Sequence, residues 1–480
     1  MSYLVHVFLP LNLNVEELTK KMPTTGIENF KIEKLKFIIS EILTIPANNK
    51  DLPIEDGFIP VNATILRRKI RNAKQYLDYL VEAGVLECDN RYINGEKSRG
   101  YKFAQGYDLL KCEEIDDYFI HNWHHKSKKK KPSQKGYNHL YRWFKKDALK
   151  IDFQSAQDFI LAEYYRKKDY PELWESHIKW DKVLKKEVVK YKNPLTQYTS
   201  SFINISRLAQ GDYNPFVDKN VHRFHSNITN LKKELRNFLT YNGEPLVSLD
   251  LKNSQPYDSI LLLDKDFWSE NTSITTKPNY SNYITTTTYP SPIMLSKVFE
   301  TLDNTDVQLY KELVTNGTLY EFFGEKLFQD YGIEEKDRGK LKTMMFTVLF
   351  TGKNNTSLSK KVFKKYFPSV NLIFDTIKNK KKEQLPLMLQ RIESELILKR
   401  ICKRISKERP SVPLYTIHDS VSTTVSNKDY VEQIMLEECI KMIGEKPTIL
   451  PEYWDSKKIT STSIGENTKF IYEITENKPK

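Results

Sequence analysis

The sequence predicts an α+β chain of two or three domains, from its length and from two recurring patterns. At 480 residues it exceeds one domain of roughly 150 residues and can bury a sizeable core. Long segments space their apolar residues three or four positions apart, as amphipathic helices do. Between them stand short apolar runs bounded by turn residues, some joined through Asn-Gly pairs, as antiparallel strands are.

The first helical pattern covers 33–43 (EKLKFIISEIL) and the second 63–70. From Asn72, NAKQYLDYLVEAG places Ala73, Tyr76, Leu77, Leu80 and Val81 on one face and stops at Gly84. VLEC (85–88) and RGYKF (99–103) read as two strands joined through Asn94-Gly95. Helix, turn, helix and a two-stranded wing outline a winged helix, with Arg67, Arg68, Lys69, Arg71, Lys74, Lys97, Arg99 and Lys102 as its cations. The second helix is expected in a DNA groove and the wing on phosphates; use for protein contacts alone is the alternative.

Residues 121–137, HNWHHKSKKKKPSQKGY, read as a mobile basic linker or loop. His121, His124 and His125 lack a carboxylate or cysteine at ligand spacing, so phosphate contact or solvation is expected of them rather than metal binding. Two helices come next at 155–168 and 175–192, forming a subdomain suited to gripping duplex. There is no internal repeat.

Composition fits a polyanionic partner. The chain has 75 Lys and Arg against 62 Asp and Glu, a net +13, which favours nucleic acid over membrane. Cys88, Cys112, Cys402 and Cys439 have no metal-ligand spacing and are expected to be reduced thiols. No signal peptide is read at the amino terminus, and no apolar run approaches the ~20 residues of a membrane span. A soluble cytoplasmic protein is expected.

Chemistry concentrates after residue 220. VHRFHSNITNLKKELRNFLTYNGEPLVSLDL (221–251) carries Arg223 and Arg236, turns at Asn242-Gly243, and runs as an apolar strand onto a lone acid, Asp250. SVPLYTIHDSVSTTV (411–425) reads as two strands whose turn presents His418 and Asp419. Two carboxylates on rigid sheet can hold a pair of divalent ions about 3.5–4 Å apart. In RGKLKTMMFTVLFTG (338–352), Arg338, Lys342, Phe346 and Phe350 recur every four residues along one helix face. The cations suit a triphosphate and the rings a sugar and base. An ordinary amphipathic helix would instead set its charges opposite its rings.

The region from about 220 to 425 resembles the palm and fingers of family A DNA polymerases and their relatives, the single-subunit phage-type RNA polymerases. Arg223-Phe224-His225-Ser226, with Asn230-Leu231 and Arg236, resembles the approach to the first catalytic motif. Asp250 with Ser254-Gln255 resembles that motif, with two extra residues between acid and Ser-Gln. Arg338, Lys342, Phe346, Phe350 and Gly352 resemble the fingers helix, with Thr351 additional before the glycine. Gln390, in a helix running to about Ile405, resembles a template-side glutamine, and His418-Asp419 resembles the final motif.

The resemblance implies a right-hand polymerase with an antiparallel-sheet palm and helical fingers, preceded by the winged helix and a helical segment. Asp250 and Asp419 would hold two Mg²⁺ ions, with Mn²⁺ as a substitute. Lys342 and Arg338 would hold phosphates, and Lys342 or His418 would assist proton transfer. Phe346 and Phe350 would wall the sugar and base pair. Arg223, Arg236 and Gln390 would contact primer terminus, triphosphate or template, and Gln255 would lie at the nucleotide.

Pro256 and Tyr257 stand where the family's DNA enzymes carry a glutamate that blocks a ribose 2′-hydroxyl, and Tyr257 could block it by bulk. Phe350 lacks the hydroxyl of the tyrosine that RNA enzymes use there. Both favour deoxynucleotides, whereas Ser420 after His418-Asp419 matches the RNA group. The expected activity is a primer-extending DNA polymerase with dNTPs and DNA as partners; an rNTP-using polymerase or primase, and a DNA-binding replication initiator or regulator with an inactive polymerase fold, are the alternatives. Residues 1–105 form the expected winged-helix domain, with DNA contacts at Arg71, Lys74, Lys97 and Arg99; 106–195 are linker and thumb-like helices, and 196–480 palm and fingers. No segment has room for a proofreading exonuclease, and a phage or mobile-element source is expected by analogy. Residues 265–330, with SITTKPNYSNYITTTTYPSP, read as an exposed insertion without chemistry.

Overall fold

The computed structural model describes residues 3–49, 52, 54–93, 97–129, 136–181, 186–268, 292–302 and 304–457. The class is α+β, with every paired strand antiparallel. One apolar core runs from Val5 to Trp454.

The first strand, β1 (Leu4–Pro10), leads into α1 (Val15–Lys21) and α2 (Ile32–Asn48), the latter longer than the pattern predicts. Then come β2 (Ile59–Pro60), α3 (Ala63–Lys69), α4 (Ala73–Glu82), β3 (Leu86–Cys88) and β4 (Gly100–Phe103). The strands form one sheet in the order β2-β4-β3. Asn62 caps α3, its Oδ1 accepting from the backbone of Thr64 and Ile65. The expected Asn94-Gly95 turn lies outside the described residues. Strand β5 (Leu110–Asp116) then returns to pair with β1 along its whole length, beyond the expected boundary at 105.

Two expectations fail in the middle of the chain. Residues 121–129, read as part of a loop, belong to α5 (Tyr118–Lys129). Its first turn is fixed by Asp117, whose Oδ1 accepts from the backbone of Phe119 and Ile120, and lysine is a good helix former. Residues 130–135 of that segment, and the side chains of His124 and His125, lie outside the described residues. After α6 (Asn138–Tyr141), β6 (Leu149–Ile151) and α7 (Phe153–Asp169), the expected helix 175–192 is a hairpin, β7 (Ser176–Asp181) and β8 (Lys186–Tyr191). Its residues fit a period of two as well as one of 3.6: Ile178 and Trp180 alternate with His177, Lys179 and Asp181. Helix α8 (Pro194–Ala209) packs on α7 and α2 and spans the expected boundary at 195.

Strands β9 (Phe216–Val217) and β10 (Phe224–His225) pair, and α9 (Asn227–Asn230) comes after them. Then β11 (Leu239–Tyr241) turns back through Asn242 and Gly243, both at positive φ (50° and 82°), into β12 (Glu244–Leu251). That is the two-residue hairpin an Asn-Gly pair favours. Asn253, also at positive φ, opens α10 (Ser254–Ser259). Of the expected exposed insertion 265–330, residues 269–291 lie outside the described residues; most of the rest is not loop but helix, α11 (Pro292–Glu300), α12 (Asn304–Thr315) and α13 (Leu319–Tyr331), because Val307, Tyr310, Val314, Leu319, Phe323 and Leu327 at helical spacing are buried in the core.

Next come α14 (Arg338–Phe350), α15 (Leu358–Tyr366), α16 (Pro368–Ile377) and α17 (Gln384–Ser394), which continues through a π-helical stretch, Glu395–Ile401, into α18 (Cys402–Glu408). Strands β13 (Tyr415–Ile417) and β14 (Ser420–Thr424), α19 (Lys428–Ile443) and β15 (Ile449–Trp454) complete the chain. The central sheet runs β13-β14-β12-β11-β6, with β15 on the other side of β12. Leu246, Val247, Leu249 and Leu251 of β12 are buried. No helix among the described residues is long and apolar enough to cross a membrane.

Leu249 is fully buried at the centre of this sheet. Leu249→Ala is expected to cost about 2–5 kcal/mol, read as a lowered urea midpoint of tryptophan fluorescence. Leu450→Ala, at a position 46% exposed on β15, is expected to cost about 0.5 kcal/mol or less.

Candidate active site

Asp250 pairs with Ser420 of β14, the residue directly after Asp419. The two acids are therefore brought to one end of adjacent strands by the backbone ladder itself. His418 and Asp419 form the whole turn between β13 and β14, and His418 takes φ 56° at its first position, where glycine is the easy residue. Ser420 helps to close the turn, its Oγ donating to the carbonyl of Ile417 at 3.0 Å.

Burial, reinforced by the charge of Asp419, pushes the Asp250 carboxyl up to about 7, while Lys342 pulls it back down. Neither acid has a side-chain ion pair or hydrogen bond among the described residues. Two close carboxylates without a cation are the donor set that hard divalent ions take, and in that sense the residues fit Mg²⁺. No group of three or more His, Cys, Asp or Glu suited to a metal occurs among the described residues, so further ligands would be water, backbone or substrate oxygens.

Helix α14 starts on a cap, Asp337, whose Oδ1 accepts from the backbone of Gly339 and Lys340. Its core side is Leu341, Met345, Val348 and Leu349, all buried. The functional face lies off that side. Lys342 is exposed, with its Nζ 5.5 Å from the Phe346 ring centre and no ion pair among the described residues. Phe346 and Phe350 are half-buried and stacked, ring centres 5.2 Å apart and 17° between planes. Arg338 is held: its Nε donates to Glu321 at 2.9 Å, an Nη reaches Asn253 Oδ1 at 3.3 Å, and the guanidinium lies 4.9 Å from the ring centre of Tyr320.

Several expected substrate contacts are engaged internally. Arg223 makes a two-pronged ion pair with Glu393, both bonds 2.8 Å, and Gln255 Nε2 donates to the same carboxylate at 2.7 Å. Neither side chain is free to bind primer or nucleotide in this arrangement. Tyr257 is 1% exposed, and its hydroxyl donates to the carbonyl of Glu445 at 2.6 Å, so its ring is not available to block a sugar. His418 is shifted down to about 4, by partial desolvation first and then by Arg223, although its side chain is exposed in the turn, so solvent moderates the shift. Arg236 is half-buried, with Asp250 and Glu452 among the charges acting on it. Gln390 is half-buried on α17.

Four residues that the sequence motifs pass over belong to this site. Glu393 clamps Arg223 and Gln255 while 2% exposed. Asp258 is fully buried, neither of its oxygens has a partner, and burial drives its carboxyl far above the usual range. Glu452 of β15 acts on Asp250 and pairs with Lys233 at 3.0 Å. Tyr320 lies under Arg338 with a buried, unpartnered hydroxyl. Only Asp258 carried a signal, as an acid at i+4 from Ser254 on the helix after the motif.

In the first unit the free cations differ from those expected. Lys69 pairs with Glu41, Lys97 with Glu55 at 3.4 Å and Lys102 with Glu87 at 2.9 Å. Arg67, Arg68, Arg71, Lys74 and Arg99 are exposed and make no ion pair among the described residues. One face of α4 is covered: Tyr76 and Gln75 accept from the backbone of Lys31 and Glu28, and Tyr79 donates to the carbonyl of Met22. Its exposed residues Lys74, Asp78 and Glu82 sum to a net negative charge, so the basic surface belongs to α3 and the turn after it.

No protein-family model and no curated protein matches the chain. Among solved structures, the POL domain of Pol1 from M. smegmatis, in complex with DNA primer-template and dNTP, aligns with a TM-score of 0.37 and 10% identity, over 65% of this chain and 68% of that one. A TM-score of 0.37 is too low to establish a shared fold, so the site is read from its own residues.

Because the folded Asp250 carboxyl is raised to about 7, its proton favours folding fully below pH ~4, and that contribution is lost as pH rises through about 7. Without divalent ions, Asp250→Asn is therefore expected to raise the thermal midpoint by about one degree near pH 8, as ~1 kcal/mol does in a chain of this length. The gain should shrink toward pH 4. An equal shift at both pH values would show that ionisation is not its cause.

Proposed function

We propose that the chain is a template-directed nucleotidyltransferase, a DNA polymerase that extends a primer with dNTPs. The observation that carries this reading is Asp250 and Asp419 held together on neighbouring strands without a counter-ion, facing the charge of Lys342 on α14. Divalent ions bound by the two acids would lower the pKa of a primer 3′-hydroxyl and stabilise charge on the leaving pyrophosphate. Lys342, exposed and unpaired, supplies a cation for the phosphates, and Arg338 supplies a second on exchanging Glu321 for them. Phe346 and Phe350 give the base pair a stacked wall. Arg223 and Gln255 act through Glu393, fixing the approach segment, α10 and α17 to one another beside the acids. Residues 1–105 would be the winged-helix domain, binding duplex through α3 and the turn after it, with 106–195 as the thumb-like region and 196–480 as palm and fingers.

A primed template incubated with Mg²⁺ and either dNTPs or rNTPs tests the reading. Extension with dNTPs is expected, and Asp419→Ala should lower it at least about a thousandfold. Synthesis from rNTPs alone would replace the product, and no synthesis with either would favour the DNA-binding regulator.

Duplex binding is expected from the first unit. The triple variant Arg67→Ala, Arg68→Ala, Arg71→Ala should weaken it and flatten the plot of log affinity against log salt by about 0.9 for each phosphate no longer neutralised. A slope unchanged by the variant would remove α3 from the DNA.

A further inference from the structure

We propose that Lys378 is the positioning residue for the nucleotide-facing helix α14, anchoring that helix's carboxyl end on the end of α16. Lys378 stands directly after α16, its side chain is wholly buried, and its Nζ donates to the carbonyl of Val348 at 2.8 Å. Val348 lies in the last turn of α14, where carbonyls have no partner within the helix. The next amide and hydroxyl, those of Thr351, both go to Thr347 instead. The last turn of α14 has no basic residue of its own. The cation that favours a helix carboxyl end is thus brought in from another element.

A buried ammonium is costly, and the surroundings of Lys378 only partly relieve it. Asp375 is 3.9 Å away but is already paired with a second buried lysine, Lys360, at 2.5 Å, and it also accepts from Asn371. Burial and the charge of Lys360 push Lys378 down to about 7. A methionine would pack in such a site without that cost, so the lysine is explained by what its Nζ holds. A second tie joins the same two ends: Lys353 Nζ donates to Asn379 Oδ1 at 2.6 Å. Together they set where α14 stops, and hence where Phe346 and Phe350 lie against the core.

The link to catalysis rests on the nucleotidyltransferase reading, so the test has an arm that does not. In the full chain, Lys378→Met is expected to speed amide exchange at 348–352 about tenfold, as loss of a favourable charge at a helix end does, while exchange in β12 and α19 stays as in wild type. In primer extension, the KM for nucleotide should rise about five- to tenfold with kcat changed less than about twofold. Unchanged exchange overturns the anchor. Faster exchange with an unchanged KM overturns its positioning role, because the helix end would then be loose without consequence for nucleotide. Should Lys378→Met fail to fold, Lys378→Gln, which removes the charge but keeps a polar end, is read the same way: faster exchange confined to 348–352 upholds the anchor, and wild-type exchange overturns it. If wild type shows no nucleotidyl transfer, the exchange arm still decides the anchor and the enzymatic reading fails by itself.

Discussion

The site depends on one backbone constraint, the pairing of β12 with strands on both sides. Asp250 lies opposite Ser420 of β14 and Leu450 of β15, so the ladder that holds the sheet also fixes one acid beside the other. Two neighbouring carboxylates in a half-buried place repel, and a pair of this kind typically costs a few kcal/mol. The same strand buries Leu246, Val247, Leu249 and Leu251, each contributing about 1.5–3 kcal/mol. Apolar burial outweighs the repulsion, and the sheet can hold its acids without a counter-ion.

Around that pair the charges are sorted by partner. Glu393 is deeply buried but receives Arg223 and Gln255, which turns it into a brace between β10, α10 and α17. Asp258, one turn away from Gln255, has no hydrogen-bond partner among the described residues, and burial keeps its proton on. A protonated Asp258 adds no further negative charge beside Asp250 and Asp419, whose surroundings also include Lys342, Lys233, Arg236 and Glu452.

The elements legible in the sequence were those whose signals are local. Asn242-Gly243 fixed a hairpin by its own dihedral preferences, β12 was readable to its acid, and α14 was readable from the four-residue recurrence of Arg338, Lys342, Phe346 and Phe350 along one face. The 176–191 hairpin was not readable, since its charged and apolar residues satisfy both periods. Nor were the braces. Arg223 and Glu393 are separated by 170 positions, and no local pattern tells an arginine aimed at substrate from one aimed at a carboxylate across the fold. Lys378 was silent for the same reason, because its value lies in a carbonyl thirty residues earlier.

The choice of sugar changes most once the contacts are known. One sequence argument for deoxynucleotides falls: Tyr257 is buried with its hydroxyl on Glu445 and does not reach a 2′-hydroxyl in this arrangement. Ser420, whose hydroxyl closes the turn on Ile417, still matches the RNA group. What remains for deoxynucleotides is Phe350, stacked on Phe346 at the end of α14 and lacking any hydroxyl with which to recognise ribose. A site that offers a ribose 2′-hydroxyl no partner charges it the loss of its water, and a deoxyribose loses nothing. On the proposed polymerase reading, discrimination would come from withheld hydrogen bonding at the ring wall, whose position would depend on where α14 ends.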